Sequence, residues 1–150
     1  MTCNCKTPVD LKIKKLHVDA ILPAYGTEGA AGFDLAIMDD VVIHHQETVL
    51  IRLGWVCAVP PGYEMQVRPR SGLSLKTGLV LKNSPGTIEC DYRGEVGIIA
   101  YNSDYKPLRF KRGDRLAQAV IAPVQACNII KVDDLDQTER GTGGFGSTGV

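Results

Sequence analysis

The chain has 150 residues, 44% of them hydrophobic, a length that suits one domain with its own core and no need of disulfides or a structural metal. Basic and acidic side chains balance at 17 each, which excludes an overall field that would draw the protein to nucleic acid or an anionic membrane, so any anionic ligand must be held by local charge. No apolar run approaches the roughly 20 residues that span a bilayer, and the charged start MTCNCKTPVDLKIKK lacks the apolar stretch of a secretory signal, so the expected location is cytoplasmic.

From residue 9 to residue 135 the chain reads as short β-branched runs punctuated by Gly, Pro, Asn and Asp, with almost nothing at the helical period, which predicts an all-β fold. The first strand is expected at 9–17, where Val9, Leu11 and Ile13 alternate with Asp10, Lys12 and Lys14 to give one wet and one dry face. Further strands are expected at 33–37, 41–44, 48–53, 55–59 and 63–68. His44 and His45, adjacent in a strand, face opposite ways and so do not bind a metal jointly. One short helix is expected at 71–76, with Ser71 as its N-cap and free N–H groups suited to an anion. Strands at 95–102, 115–124 and 128–132 complete the set. Turn signals at Pro60-Pro61-Gly62, Ser84-Pro85-Gly86, Arg93-Gly94 and Arg112-Gly113-Asp114 favour a sandwich or jelly roll. The five cysteines, Cys3, Cys5, Cys57, Cys90 and Cys127, are odd in number and contain no CxxC pair, which reads as reduced thiols.

At the C-terminal end the composition changes: RGTGGFGSTG, residues 140–149, sets five Gly, two Thr and one Ser around Arg140 and Phe145. The division expected is therefore a domain over 1–139 and a flexible tail over 140–150. A Gly/Ser run at a terminus is by default a tethered coil. It is also a backbone free enough of Cβ atoms to wrap phosphates, with Arg140 supplying charge and Phe145 a stacking face.

Five segments, in order, carry a more specific signal: AAGFDL at 30–35, RPRSGLSLKTGL at 68–79, NSPGTIECDYRGEVG at 83–97, RGDRLAQ at 112–118 and the tail itself. Together they resemble the five motifs of the trimeric dUTPase family. That resemblance implies a distorted jelly roll assembled as a homotrimer with three sites at subunit junctions. The implied reaction is hydrolysis of dUTP to dUMP and pyrophosphate with Mg²⁺, with no nucleic-acid or membrane partner and no inserted segment indicating a protein partner.

Residue by residue, the resemblance makes Arg70 and Ser71 the phosphate pair, with Gly72 letting the backbone approach. Asn83 and the backbone of Gly86, Thr87 and Ile88 would read the uracil edge, and Tyr92 would pack under the deoxyribose, although Asn83 before Ser84-Pro85-Gly86 reads equally as a turn residue. Asp34 would help fix the metal-bound triphosphate through water, and Gln118 would donate to an α-phosphate oxygen, while Asp114 and Arg115 read as a structural ion pair or turn. In the tail, Phe145 would stack on uracil, Arg140 would pair with a phosphate, and Gly146 and Ser147 would offer donors near the terminal phosphate. The sequence departs from the family where the water-activating carboxylate is normally Asp: here it is Glu89. The two acids differ by only about 0.4 pKa unit, but one extra methylene moves the carboxyl by roughly 1.5 Å, and a 1 Å misplacement can cost about 10²-fold in rate. An adapted pocket, a slow enzyme and a substrate-trapping substitution all stay open. Two other functions fit the fold class: a dCTP deaminase-like enzyme, which also uses a glutamate, and a nucleotide-responsive regulatory binding protein with weak turnover.

Overall fold

The computed structural model describes residues 8–147; Cys3, Cys5 and the last three tail residues lie outside the described residues. In chain order the elements are β1 (Lys12–Lys15), β2 (Ala24–Tyr25), β3 (Phe33–Ala36), β4 (Val41–Ile43), β5 (Thr48–Ala58), β6 (Tyr63–Pro69), the helix α1 (Ser71–Lys76), β7 (Leu79–Leu81), β8 (Gly86–Ile88), β9 (Glu95–Asn102), β10 (Leu108–Phe110) and β11 (Arg115–Pro123). They form a four-stranded sheet ordered β1-β5-β9-β7, a five-stranded sheet ordered β2-β3-β11-β6-β8 and the pair β10-β4. This is the expected all-β jelly roll with one short helix.

Period two builds the core. In β9, Val96, Ile98 and Ala100 are buried while Glu95, Gly97 and Ile99 turn outward. The buried set joins Leu35, Trp55, Met65 and Leu116 in one cluster, and each fully buried aliphatic side chain contributes about 1.5–3 kcal/mol. Among the described residues Asn102 is the buried polar one, and it is satisfied: Nδ2 donates to the carbonyls of Ile43 and Lys106, both at 2.9 Å.

Two bulges depart from a plain ladder. The sequence predicts two strands at 48–53 and 55–59, but β5 runs through both because Gly54, at φ +75, absorbs a register shift between Arg52 and Val56. A bulge inserts a residue and re-aims its neighbours without ending the strand. In β11 the register shifts between Arg115 and Ala117, and the consecutive residues Leu116 and Ala117 are both buried. The turn before β11 is pinned from outside: Lys111 Nζ meets Asp40 Oδ2 at 2.7 Å and the Arg112 amide donates to Asp40 Oδ1. The Lys111 hydrogen bond, helped by that amide, holds the Asp40 carboxyl below its usual range.

The strand expected over 128–132 does not form. Ile129, Ile130 and Val132 lie exposed on an unpaired stretch, because a strand needs a partner backbone and no described residue of this chain supplies one. The helix also starts differently from expectation: Arg70 is its N-cap and Ser71 its first residue, with no side-chain capping bond. Strands β2, β7, β8 and β10, two or three residues each, were not expected, being too short to show a period.

Candidate active site

The central position of β11 gathers the first group of residues. Its register sets Gln118 opposite Asp34 of β3 on one side and Arg68 of β6 on the other. At the end of β6 the chain passes through Arg70 into α1, so Ser71 and Gly72 arrive beside the same strand. The result is a cleft of about 600 Å³ whose walls include Asp34, Arg70, Ser71, Gly72, Arg115 and Gln118. Thr27, Gly32 and Lys76 are also among its walls, so three cations stand with one carboxylate in the lining.

Both oxygens of that carboxylate are engaged. Asp34 Oδ1 receives Arg70 Nε at 2.8 Å and Oδ2 receives Arg115 Nη1 at 2.8 Å. Arg70 Nη1 in turn donates to the Arg115 carbonyl at 2.9 Å. Of the ion pair or turn expected of Asp114 and Arg115, the turn forms, with Asp114 accepting from the Lys111 amide at 2.7 Å, while Arg115 pairs with Asp34. The bulge in β11 is what turns Arg115 toward β3, and no local sequence signal marks a bulge of this kind. Gln118 Nε2 donates to the Pro69 carbonyl at 2.9 Å, which ties β11 to the residue before Arg70 and leaves one amide hydrogen free. Gly72 opens onto empty space, whereas a Cβ on Gly32 would come within 3.0 Å of Gln118 Oε1 and of the Ala119 carbonyl. Lys76, Thr27 and Gly32 were not assigned to the site from sequence; Gly32 and Lys76 lie inside the segments 30–35 and 68–79, whereas Thr27 lies outside them.

A second cleft, of about 340 Å³, holds the other group: Asn83, Gly86, Thr87, Ile88, Glu89 and Tyr92. Strand β8 supplies three of these and is the last strand of its sheet. Its outer edge thus leaves backbone N–H and C=O groups without a strand partner, able to read the edge of a planar ligand. Gly86 is buried with Asn83 Nδ2 3.1 Å from where its Cβ would stand, so the Asn83 amide lies across the start of that edge. Glu89 follows β8 at an exposed position. A turn closed by the Tyr92 amide to the Glu89 carbonyl brings Tyr92 back over the cleft, and Arg93 Nη1 braces it with bonds of 2.7 Å to the carbonyls of Cys90 and Tyr92.

The two clefts share no lining residue. The tail residues Arg140, Phe145, Gly146 and Ser147 line neither. Arg140 Nε folds back on the Gly143 carbonyl at 2.8 Å, Phe145 is fully exposed, and Phe145 and Gly146 both take positive φ. His45 Nδ1 lies 2.8 Å from the Asp104 carbonyl, apart from both clefts.

A match to the family described as dUTPase spans residues 18–149. The chain is 52% identical over 139 residues to the deoxyuridine 5'-triphosphate nucleotidohydrolase of Nautilia profundicola, covering 93% of this chain and 98% of that protein. Among solved structures, a mutant of the Staphylococcus bacteriophage 80alpha dUTPase with dUpNHpp superposes with a TM-score of 0.88 at 30% identity, covering 94% of this chain and 99% of that one. A mutant dUTPase from phage phi11 of S. aureus, described as revealing the coordination of a structural Mg(II) ion, is similar at a TM-score of 0.79 and 26% identity over 84% of this chain and 98% of that one.

Proposed function

The chain belongs to the dUTPase family and hydrolyses dUTP to dUMP and pyrophosphate, and from that premise we propose that a water oriented by Glu89 attacks the α-phosphorus in line. The observation that carries this reading is the first cleft, where Arg70, Lys76 and Arg115 surround Ser71 with Asp34 as the single acid. A cleft so charged binds a polyanion, and donors fixed around the leaving pyrophosphate stabilise the charge that develops there. Ser71 and Arg70 serve the phosphates, Gly72 lets them approach the backbone, and Gln118 spends its free amide hydrogen on an α-phosphate oxygen.

Mg²⁺ fits this cleft. A lone carboxylate already paired to two arginines suits a cation that takes its direct ligands from the substrate phosphates and keeps several waters. When bound, the ion neutralises phosphate charge and orients the chain of phosphates. Asp34 would help hold the ion through water, with the lone pairs its arginines leave free.

In the second cleft, Asn83 and the outer edge of Gly86, Thr87 and Ile88 read uracil; cytosine would leave a polar group unpaired, which is how such sites reject near neighbours. Tyr92 packs under the sugar and leaves no room for a 2′-hydroxyl. Phe145 stacks on the base, Arg140 pairs with a phosphate, and Gly146 and Ser147 donate near the terminal phosphate as the tail closes and excludes water.

Because the two clefts have no residue in common, a complete site drawn from more than one copy supports a homotrimer with sites at subunit junctions. The free thiols of Cys57, Cys90 and Cys127 support a cytoplasmic location. The enzyme there lowers dUTP and supplies dUMP.

Pyrophosphate release from dUTP, UTP, dTTP and dCTP with Mg²⁺ tests the reading in the wild-type chain and in Glu89→Gln and Glu89→Asp. The expected outcome is turnover of dUTP alone and loss of about 10²-fold or more in Glu89→Gln. Activity confined to Glu89→Asp would show that Glu89 does not serve as the base.

A further inference from the structure

Gly94 has an ordinary φ outside the left-handed region, so its backbone does not require glycine. Space does. A Cβ on Gly94 would stand 2.2 Å from Tyr92 Oη, 2.4 Å from Cζ and 2.8 Å from Cε2, so the far end of the Tyr92 ring rests directly on the bare Cα. The same hydroxyl donates to the Glu95 carbonyl at 3.1 Å, which holds the ring down on that seat. Glu95 is itself anchored, because Oε1 accepts from the Gly54 amide at 2.8 Å. Tyr92 remains 42% exposed on the cleft that also holds Asn83 and Glu89, so the seat fixes the level of an open ring face.

We propose that Gly94 is a specificity-determining residue: by lacking a Cβ it seats the Tyr92 ring at the height that admits a deoxyribose and excludes a ribose. This rests on the reading of Tyr92 as the residue facing the sugar. The three nearest atoms that a new Cβ would meet, all within 3 Å, belong to the end of the Tyr92 side chain, so the ring is what Gly94→Ala displaces first. The ring must lift. Once off its seat the ring no longer closes the space beside the sugar's 2′ position, so the 2′-hydroxyl is admitted and the preference for dUTP over UTP falls.

The test compares kcat/KM for dUTP and UTP, with Mg²⁺, in the wild-type chain, Gly94→Ala, Tyr92→Leu and the double variant. Gly94→Ala is expected to fold with a Tm within about 3 °C of wild type, and its dUTP/UTP ratio to fall by about tenfold or more, the scale set by one methylene in a fitted pocket. In the Tyr92→Leu background, adding Gly94→Ala is expected to change the ratio less than about twofold, since no ring remains to seat. An unchanged ratio in Gly94→Ala beside a collapsed ratio in Tyr92→Leu overturns the seat and leaves the sugar-facing role of Tyr92 intact. An unchanged ratio in both overturns that role as well. A Gly94→Ala chain that fails to fold also overturns the proposal, because the glycine would then serve the backbone.

Discussion

Asp34 stands where two arginines converge, with a side chain only 19% exposed and each oxygen 2.8 Å from a guanidinium nitrogen. Replacing it by Asn keeps the shape but removes the charge that draws both arginines, and hydrogen bonds to a charged partner are roughly twice as strong as neutral ones. Arg70 would then lose its hold at the mouth of the cleft proposed to take the phosphates. The expected result for Asp34→Asn is a fall of about 10- to 100-fold in kcat/KM for dUTP, that is about 1.4–2.7 kcal/mol. The loss is expected to persist at saturating Mg²⁺ in steady-state assays; recovery at high Mg²⁺ would trace it instead to the metal's water shell. At this scale the sequence was informative about residue types and poor about pairings. Arg70, Ser71, Gln118 and Asp34 stood in legible motifs, but the partner of Arg115 depends on a bulge, and Lys76 and Thr27 join the site only because α1 and the loop after β2 fold over the same strand.

Strand β5 shows what a single position does to an element. Gly54 takes φ +75, gives its amide to Glu95 and offers its carbonyl to the amides of Leu16 and His17. A Cβ there would stand 2.5 Å from Met38 Sδ and 3.0 Å from the Ala20 Cβ. Left-handed backbone costs a non-glycine residue about 1–2 kcal/mol, and the crowding adds to it, so Gly54→Ala is expected to destabilise the fold by about 2–4 kcal/mol, read as a shift in denaturant midpoint. An alanine within 1 kcal/mol of wild type would mean that the bulge relaxes freely. Longer strands such as β9 and β11 were legible because eight or nine residues display a period, whereas β8, three residues long, carries much of the edge proposed to read the base yet reads as a loop. The stretch 128–132 fails for the opposite reason: its residues prefer a strand, but preference without a partner backbone leaves Ile129 99% exposed.

For the whole molecule, the decisive fact is that Ser71 and Glu89 line clefts with no residue in common, although the proposed mechanism needs both. Ile129, Ile130, Val132 and Leu135 are exposed on the stretch that follows β11, and such apolar surface is unusual on a chain that stays alone. If each site takes its phosphate cleft from one copy and its base-reading cleft from another, two disabled chains can repair each other. Ser71→Ala and Glu89→Gln are each expected to be nearly inactive by themselves. Unfolded together in equal amounts and reassembled, they would form about a quarter of sites with both clefts intact, as random mixing in a closed ring dictates. Recovered dUTP turnover near that fraction, from a species that sediments as a trimer, supports the junction site. No recovery in mixed trimers would place both clefts of a working site on one chain, with the tail or a motion of β8 left to bring them together.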